Sequence, residues 1–226
     1  MYLGQEDAIA WLSTLDDSSV DLIITDPPYE SLEKHRKIGT TTRLKQSKSS
    51  SNMWFDIFPN ERFESLLTEL FRVLKKNSHF YLFCDQETLF VVKPIAEKVG
   101  FKFWKAIIWD KVNIGMGYHY RSRHELILFF EKGKRKLNDL GIPDVLVCKR
   151  VHRGYPTEKP VPLLEILIKQ SSETDEVIID PFFGSGSTLV AAKSMGRTFW
   201  GNDISSDAHE HLNSRLITLA EKVDSE

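Results

Sequence analysis

A short stretch near the start of the chain, Asp26-Pro27-Pro28-Tyr29, carries residue types that could do chemistry. It follows residues 20–25, an apolar run typical of a strand buried on both faces of a parallel sheet. Neither proline can donate a ladder hydrogen bond, so the pair predicts a rigid corner that ends the strand. The corner offers a carboxylate, a free carbonyl and an aromatic ring at the carboxyl edge of a sheet, where open α/β folds bind ligands.

A second stretch, residues 177–188, reads as a strand, a glycine-rich turn and the start of a helix. This order is the nucleotide-binding geometry of a Rossmann-like fold. The spacing matches neither the dinucleotide pattern G-x-G-x-x-G nor a P-loop, so neither a pyrophosphate nor a triphosphate is well provided for. The next predicted strand ends at Asp203, where a carboxylate can accept hydrogen bonds from both ribose hydroxyls. Together the turn and the acid favour an adenosyl ligand.

The elements that must position these stretches form one domain over residues 1–226, since no linker or repeat interrupts the pattern. Strands and helices alternate, which predicts a doubly wound, mostly parallel sheet. Residues 101–109 and 125–130 predict an antiparallel hairpin at one edge of that sheet. The chain shows no apolar run of membrane-spanning length and no signal peptide, so we expect a cytoplasmic protein. Cys84 and Cys148 lack metal-ligand spacing, so we expect reduced thiols and no metal site.

Two basic segments stand out from a net charge of −2. Residues 31–53 hold six Lys or Arg against one acidic residue, and residues 132–153 hold seven against two. The first segment lacks a hydrophobic pattern and follows the Asp26 corner, which predicts a mobile lid. Such segments suit contact with a polyanion, and the alternative is that they are solvated loops. Arg121 and Arg123 lie in a further loop that could meet nucleic acid or pack on the surface.

Several short motifs in one order make the chain resemble the DNA amino-methyltransferases that use S-adenosylmethionine, in the permuted arrangement where Asp-Pro-Pro-Tyr precedes the cofactor motif. The resemblance covers nearly the whole chain and rests on residues 6–8, 26–29, 123–125, 157–160, 180–188 and 201–203. It implies that the strands ending at Thr25 and Asp180 lie side by side, so that both motifs share one crevice.

The resemblance implies a role for each matching residue. Asp203 would bind the ribose and Asp7 the adenine amino group of the cofactor, although Asp7 could also be a helix N-cap. Glu6 stands where the family usually has glycine, which puts the backbone approach there in doubt. The full set implied to bind the cofactor is Asp7, Ala8, Asp26, Thr157, Lys159, Pro160, Asp180, Pro181, Phe182, Gly184, Ser185, Gly186, Thr188 and Asp203.

The catalytic residues implied are Asp26, Pro27, Pro28 and Tyr29. An exocyclic base amine is a poor nucleophile because its lone pair is delocalised into the ring. Hydrogen bonds from that amine to the Asp26 carboxylate and the Pro27 carbonyl would free the lone pair, and Tyr29 would stack on the extruded base. Aspartate at the head of the motif resembles adenine-N6 enzymes more than cytosine-N4 enzymes. Cytosine, an RNA adenine and a protein glutamine stay open as acceptors.

Double-stranded DNA is the partner implied, with target recognition left to a short segment at about residues 133–152. So small a segment implies a short target, weak selectivity or a second subunit. A homodimer is compatible with so small a segment. The sequence does not indicate whether a partner nuclease exists. The rival interpretation is a non-catalytic DNA-binding module that needs a partner chain. The residues predicted to contact DNA are Lys34, Arg36, Lys37, Arg43, Arg121, Arg123, Arg150 and Arg153.

Overall fold

A computed structural model describes residues 1–31, 56–115, 119–151, 155 and 157–223. Its described part contains one eight-stranded sheet. The strands are β1 (Tyr2–Gly4), β2 (Val20–Thr25), β3 (Leu74–Cys84), β4 (Lys102–Asp110), β5 (His124–Lys132), β6 (Val145–Val147), β7 (Val177–Asp180) and β8 (Thr198–Asn202). The helices between them are α1 (Ala8–Ser13), α2 (Phe63–Val73), α3 (Gln86–Val99), α4 (Val161–Ser171), α5 (Ser187–Ser194) and α6 (Ser206–Val223), with a 3₁₀ turn at Asn60–Arg62.

The spatial order of the strands is β1-β8-β7-β2-β3-β5-β4-β6. Every neighbouring pair is parallel except β3 with β5 and β5 with β4, so the predicted mostly parallel sheet is confirmed. The predicted antiparallel hairpin is β4 with β5. It lies one strand inside the edge, because β6 pairs with the outer side of β4. With only three residues, β6 has too short a pattern to be predicted as a strand.

Strand β2 lies next to β7, with Leu22 opposite Ile178 and Ile23 opposite Ile179. All six residues of β2 are buried, as the apolar run predicts for a strand covered on both faces. The neighbouring strands run parallel, so their carboxyl ends, with Asp26 after one and Asp180 at the end of the other, meet at the same edge of the sheet. The predicted adjacency of the two motifs is confirmed.

Helices cover both faces of the sheet and give it two hydrophobic cores. Helices α1, α2 and α3 pack on one face, where Ile23 points, and helices α4, α5 and α6 pack on the other, where Leu22 and Ile24 point. The alternation along β2 follows from the two-residue period of a strand. Within the described residues, no helix has both the length and the apolar character needed to cross a membrane.

Candidate active site

A cavity of about 760 Å³ opens at the carboxyl edge of β2 and β7. Residues of both sequence motifs line it, which brings together two stretches about 150 residues apart in the chain. The predicted site residues in its lining are Asp7, Ala8, Asp26, Pro27, Pro28, Tyr29, Arg150, Thr157, Lys159, Pro181, Phe182, Gly184 and Asp203. A smaller pocket of about 60 Å³ adjoins it and adds Asp180, Ser185 and Thr188.

The proline corner leaves one of its two carbonyls free. The Pro28 carbonyl accepts a hydrogen bond of 2.7 Å from the Phe58 N–H, and Tyr29 forms a short parallel bridge with Phe58. Among the described residues, no donor reaches the Pro27 carbonyl. Tyr29 is 8% exposed and turns its remaining surface to the cavity. The corner therefore presents an acceptor carbonyl beside the Asp26 carboxylate, as the two prolines predict.

The Asp26 carboxylate is paired with the Lys159 ammonium. The Asp26 side chain keeps 24% of its surface accessible, while that of Lys159 keeps 11%. Burial raises the pKa of the Asp26 carboxyl to about 6, against the lowering effect of Lys159. Lys159, which the resemblance implies binds the cofactor, has its charge directed at the Asp26 carboxylate.

Two further charged residues, not predicted as site residues, extend this pair into a row. Glu125 on β5 has Oε1 2.9 Å from the Lys159 Nζ, and Lys111, which follows β4, has Nζ 2.7 Å from the Glu125 Oε2. Although burial opposes it, the two carboxylates raise the pKa of Lys159, and the two ammonium groups lower that of Glu125. Only the hairpin of β4 and β5 brings these side chains to Asp26, so no local pattern could indicate them.

The glycine-rich turn after β7 depends on two residues with positive φ. Gly184 has φ of 47° and Gly186 has φ of 71°. A Cβ on Gly186 would lie 2.5 Å from the Leu212 Cδ1, so both the conformation and the space demand glycine. Arg215 on α6 fixes the turn from outside by donating to the Ser185 carbonyl and the Ser187 hydroxyl, each at 2.8 Å.

Asp180 is turned toward the junction between β7 and β2. Its Oδ1 accepts from the Thr25 hydroxyl at 2.9 Å and from the Phe182 N–H at 3.1 Å. Burial raises the pKa of the Asp180 carboxyl to about 7. The side chain lines the small pocket and is absent from the lining of the large one. Asp180 thus holds the turn and the Asp26 strand together, in addition to any contact with a ligand.

Asp203, the acid that follows β8, faces the glycine turn. It accepts from the Gly184 N–H and the Ser205 N–H, each at 2.9 Å, and burial raises its pKa. Beside it, Asn202 is an unpredicted residue with three hydrogen bonds to the Glu6 backbone and the Pro181 carbonyl. Asn202 therefore joins the loops that follow β1, β7 and β8.

Asp7 caps helix α1 and lies on the cavity wall. Its Oδ1 accepts from the Ile9 N–H at 3.0 Å, and both carboxylate oxygens pair with Arg62 at 2.9 and 2.8 Å. The alternative role as a helix cap is therefore present together with the cavity position. Arg62, not predicted from the sequence, lies 5.2 Å from the ring centroid of Phe58 and also lines the cavity.

The segment before α4 brings Thr157 to the cavity lining, whereas Pro160, also predicted to bind the cofactor, is buried and lines neither pocket. Thr157 has φ of 56°, and Pro160 precedes the first turn of α4. Between them, Glu158 was not predicted as a site residue. It accepts from the Tyr155 N–H at 3.1 Å and lies 3.3 Å from the Arg215 guanidinium. Arg215 thereby links this segment to the glycine turn.

The predicted DNA-binding residues fall into two groups. Arg121 donates to the Gly115 carbonyl at 2.7 Å, and the exposed Arg123 forms two hydrogen bonds of 2.7 Å with Asp110, while Arg150 lines the cavity. The others lie outside the described residues, as does the predicted lid apart from its first residue: Lys34, Arg36, Lys37, Arg43 and Arg153.

The segment at residues 133–152, predicted for target recognition, packs partly on the body of the domain. Arg135 pairs with Glu176 at 3.1 Å, and the Asn138 amide donates to the Lys169 carbonyl at 2.9 Å. Strand β6 also belongs to this segment. Five large apolar side chains remain exposed along the described part of this segment: Leu140, Ile142, Val145, Val147 and Val151.

The arrangement fits a nucleoside ligand with a second planar group beside it. The carboxylate of Asp203 borders the turn, the partly exposed Phe182 ring lines the cavity, and the Asp26 carboxylate and the Pro27 carbonyl lie on the wall that both stretches share. Among the described residues of the lining, acidic ones outnumber basic ones seven to four, which suits a cationic ligand better than a phosphate.

Comparison with known proteins agrees with this geometry. A family model described as DNA methylase matches residues 20–144 and 142–214. YubD of Escherichia coli (strain K12) is 29% identical over 216 residues, covering 95% of this chain and 89% of that protein. Type II methyltransferase M.HpaI of Haemophilus parainfluenzae is 28% identical over 237 residues, covering 92% and 72%.

Two solved structures share the fold. The complex of M1.HpyAVI with SAM has a TM-score of 0.69 at 22% identity, covering 95% of this chain and 98% of that one. The cytosine-N4-specific PvuII DNA methyltransferase has a TM-score of 0.72 at 15% identity, covering 94% and 85%. The family model spans most of the chain, and this protein belongs to the N6/N4 DNA methylase family.

Proposed function

We propose that this protein is a DNA adenine-N6 methyltransferase that modifies an adenine extruded from the duplex. The proposal is carried by one observation: the Asp26 carboxylate and the free Pro27 carbonyl lie in the same cavity as the Gly184 turn. S-adenosylmethionine is the cofactor of the family, and when bound it supplies an electrophilic methyl group on a positively charged sulfur. The acidic lining of the cavity is compatible with that charge.

The residues of this chain supply positioning and hydrogen bonds. The Asp26 carboxylate and the Pro27 carbonyl accept hydrogen bonds from the two N–H groups of the base amine. These hydrogen bonds localise the lone pair of the amine nitrogen for attack on the methyl group. The Pro27–Pro28 corner holds the Pro27 carbonyl in place, and Tyr29 stacks on the extruded base. The amine loses a proton after methyl transfer, and the Asp26 carboxylate, which accepts its hydrogen bond and whose pKa burial raises to about 6, is the base proposed to take it up.

Cytosine-N4 methylation is the second candidate. Its support is the fold shared with the cytosine-N4-specific PvuII enzyme, and a carboxylate can accept hydrogen bonds from either base amine. Adenine is preferred because aspartate heads the motif here, which resembles the adenine enzymes.

Product analysis tests the proposal. Purified protein is incubated with S-adenosylmethionine and an unmethylated plasmid, and the DNA is digested to nucleosides for mass spectrometry. We expect N6-methyldeoxyadenosine, and we expect Asp26→Ala to reduce its formation by about 10² to 10³. Asp16→Ala, which changes an exposed turn remote from the cavity, is the matched control and should keep wild-type activity.

N4-methyldeoxycytidine as the product would overturn the proposal in favour of the second candidate. Methylation of RNA or protein with none of DNA would overturn both. Cofactor binding without transfer by the purified single chain would favour a module that needs a partner.

A further inference from the structure

Four charged side chains of alternating sign form a row along one wall of the cavity. The row runs from Asp26 through Lys159 and Glu125 to Lys111, which is 27% exposed at its outer end. The two inner members, Lys159 and Glu125, keep only 11% and 12% of their side-chain surface accessible. Charges so placed interact more strongly than surface pairs, because solvent screens them little.

The row creates a conflict at Asp26. The proposed reaction requires the Asp26 carboxylate to accept a hydrogen bond from the base amine, but Lys159 already donates to one of its two oxygens, Oδ2, and so competes with the amine for the negative charge of the carboxylate. The Lys159 ammonium lies 5.1 Å from the ring centroid of Phe83 and 6.0 Å from that of Trp109, so aromatic rings border it. Moving it away from Asp26 without another anion would leave a buried charge unpaired, which is strongly unfavourable.

A second anion is already within reach. The Glu125 Oε1 lies 2.9 Å from the Lys159 Nζ, yet it receives no well-aligned hydrogen bond from the described residues. A small shift of the Lys159 Nζ, made by its side-chain torsions, would align that bond and weaken the one to Asp26. The other carboxylate oxygen of Glu125 is held by Lys111 at 2.7 Å, which keeps Glu125 ionised and oriented.

We propose that Glu125 is a positioning residue that shares the Lys159 ammonium with Asp26, so that the base amine can replace Lys159 at the Asp26 carboxylate. This inference rests on the proposed function. Glu125 lines the cavity, but in this role it acts on the base amine through Lys159. Without the charge of Glu125, Lys159 keeps Asp26 as its one anionic partner among the described residues and competes with the base amine.

The charges around Asp26 also set the pH above which its carboxyl group is ionised and can accept a hydrogen bond from the base amine. Lys159 before α4 and Lys111 after β4 lower the pKa of Asp26, whereas burial and Glu125 on β5 raise it. The other titratable groups that interact with Asp26 are Tyr29, Cys84 on β3 and Asp180 on β7. Removing Glu125 should therefore lower the pKa of Asp26, and removing Lys111 should raise it.

The test compares kcat, KM for DNA and the pH profile of kcat/KM for the wild type, Glu125→Gln and Lys111→Gln. We expect Glu125→Gln to lower kcat by about tenfold or more with a smaller change in KM. Its acid limb should move to lower pH, while that of Lys111→Gln should move to higher pH, each by roughly half a unit or more. If Glu125 and Lys111 had only structural roles, the two substitutions would not shift the acid limb of the pH profile in opposite directions according to the sign of the charge removed.

Glu131→Gln is the matched control, because Glu131 is another buried glutamate on the same face of β5, remote from Asp26 and bonded to Trp104. Glu131→Gln should leave the acid limb of the pH profile at its wild-type position, even if it lowers the free energy of unfolding. The proposal is overturned if Glu125→Gln keeps wild-type kcat, or if its limb stays fixed or moves to higher pH.

A titration of the Asp26 carboxyl by ¹³C NMR, without DNA, separates this inference from the proposed function. We expect the same opposite shifts in Glu125→Gln and Lys111→Gln. If the wild type methylates no DNA, the proposed function fails while the titration still decides whether Glu125 controls Asp26. Equal Asp26 titrations in all three proteins would refute the positioning role.

Discussion

The buried carboxyl group of Asp180 lowers the stability of the fold when it is ionised. It is 3% exposed, and burial raises the pKa of its carboxyl from 3.8 to about 7. Hydrogen bonds from Thr25 and Phe182 offset part of this effect. The folded state therefore binds the Asp180 proton more tightly than the unfolded state between these two pH values. At neutral and alkaline pH, a buried negative charge is retained at the junction of the two motif-bearing strands.

We predict that Asp180→Asn raises the free energy of unfolding of the cofactor-free protein at pH 8. The gain should shrink as the pH falls from 8 to 5, because the wild-type carboxyl takes up a proton and loses its charge. The upper limit of the gain is roughly 4 kcal/mol, the value of a pKa shift of about three units. Urea unfolding at several pH values measures it.

Asp7→Asn should have the opposite effect on the free energy of unfolding and serves as a comparison. Its hydrogen bonds and Arg62 lower the pKa of Asp7 despite partial burial, so its contribution to stability is present above pH 3.8 and is lost as the pH falls through the lowered pKa. A gain for Asp180→Asn that grows toward low pH would contradict the assignment.

At the scale of elements, the loops that follow β1, β7 and β8 are held together by one buried amide. Asn202 is 1% exposed and bonds both backbone groups of Glu6 and the carbonyl of Pro181. Glu6 precedes the Asp7 cap, and Pro181 precedes the glycine turn. The single side chain thus sets the relative positions of two walls of the cavity.

We predict that Asn202→Ala lowers the free energy of unfolding by about 2 to 4 kcal/mol, because buried backbone groups lose their partners. Cofactor affinity, measured by calorimetry, should fall with it, since both walls lose a shared anchor. Asn138→Ala is the matched control: its amide also bonds backbone carbonyls, but it is exposed and far from the cavity. Unchanged cofactor affinity in Asn202→Ala would show that the loops hold their positions without it.

The whole molecule separates the charges that hold the cofactor site from those available to a polyanion. Acidic residues outnumber basic ones in the cavity lining, seven to four, although the net charge of the chain is only −2. Such a lining repels phosphate. We therefore expect affinity for the DNA backbone to depend mainly on other basic residues, and residues 31–53 are the nearest basic segment in sequence to the Asp26 corner.

We predict that joint charge reversal of Lys34, Arg36 and Lys37 weakens DNA binding and reduces its salt dependence. The slope of log K against log salt should decrease by roughly 2 to 3 if each residue contacts one phosphate. Fluorescence anisotropy at several salt concentrations measures both quantities.

A control of equal net charge reverses Lys98, Lys169 and Lys193, which lie in the last turns of α3, α4 and α5 and outside the cavity lining. It should leave the slope nearly unchanged. Equal slopes for the basic-segment variant and the wild type would exclude these residues from phosphate contact.

The sequence by itself determined the local features of this protein. Pro27 and Pro28 end a strand wherever they occur in one, and the glycines at 184 and 186 permit a turn that other residues resist, so the corner and the turn were predictable from residue chemistry. The alternation of strands and helices likewise predicted the parallel sheet, and the apolar character of β2 predicted its central place.

Only the tertiary structure decided which charges meet. Lys159 and Glu125 lie 133 and 99 positions from Asp26 in the chain, and their pairing depends on the fold of the β4–β5 hairpin and on the segment before α4. The pairing of Arg62 with Asp7 and the hydrogen bonds of Asn202 to Glu6 and Pro181 likewise depend on the fold. Ion pairs and buried amides act over a few ångströms in space and carry no period along the chain, so local patterns cannot reveal them.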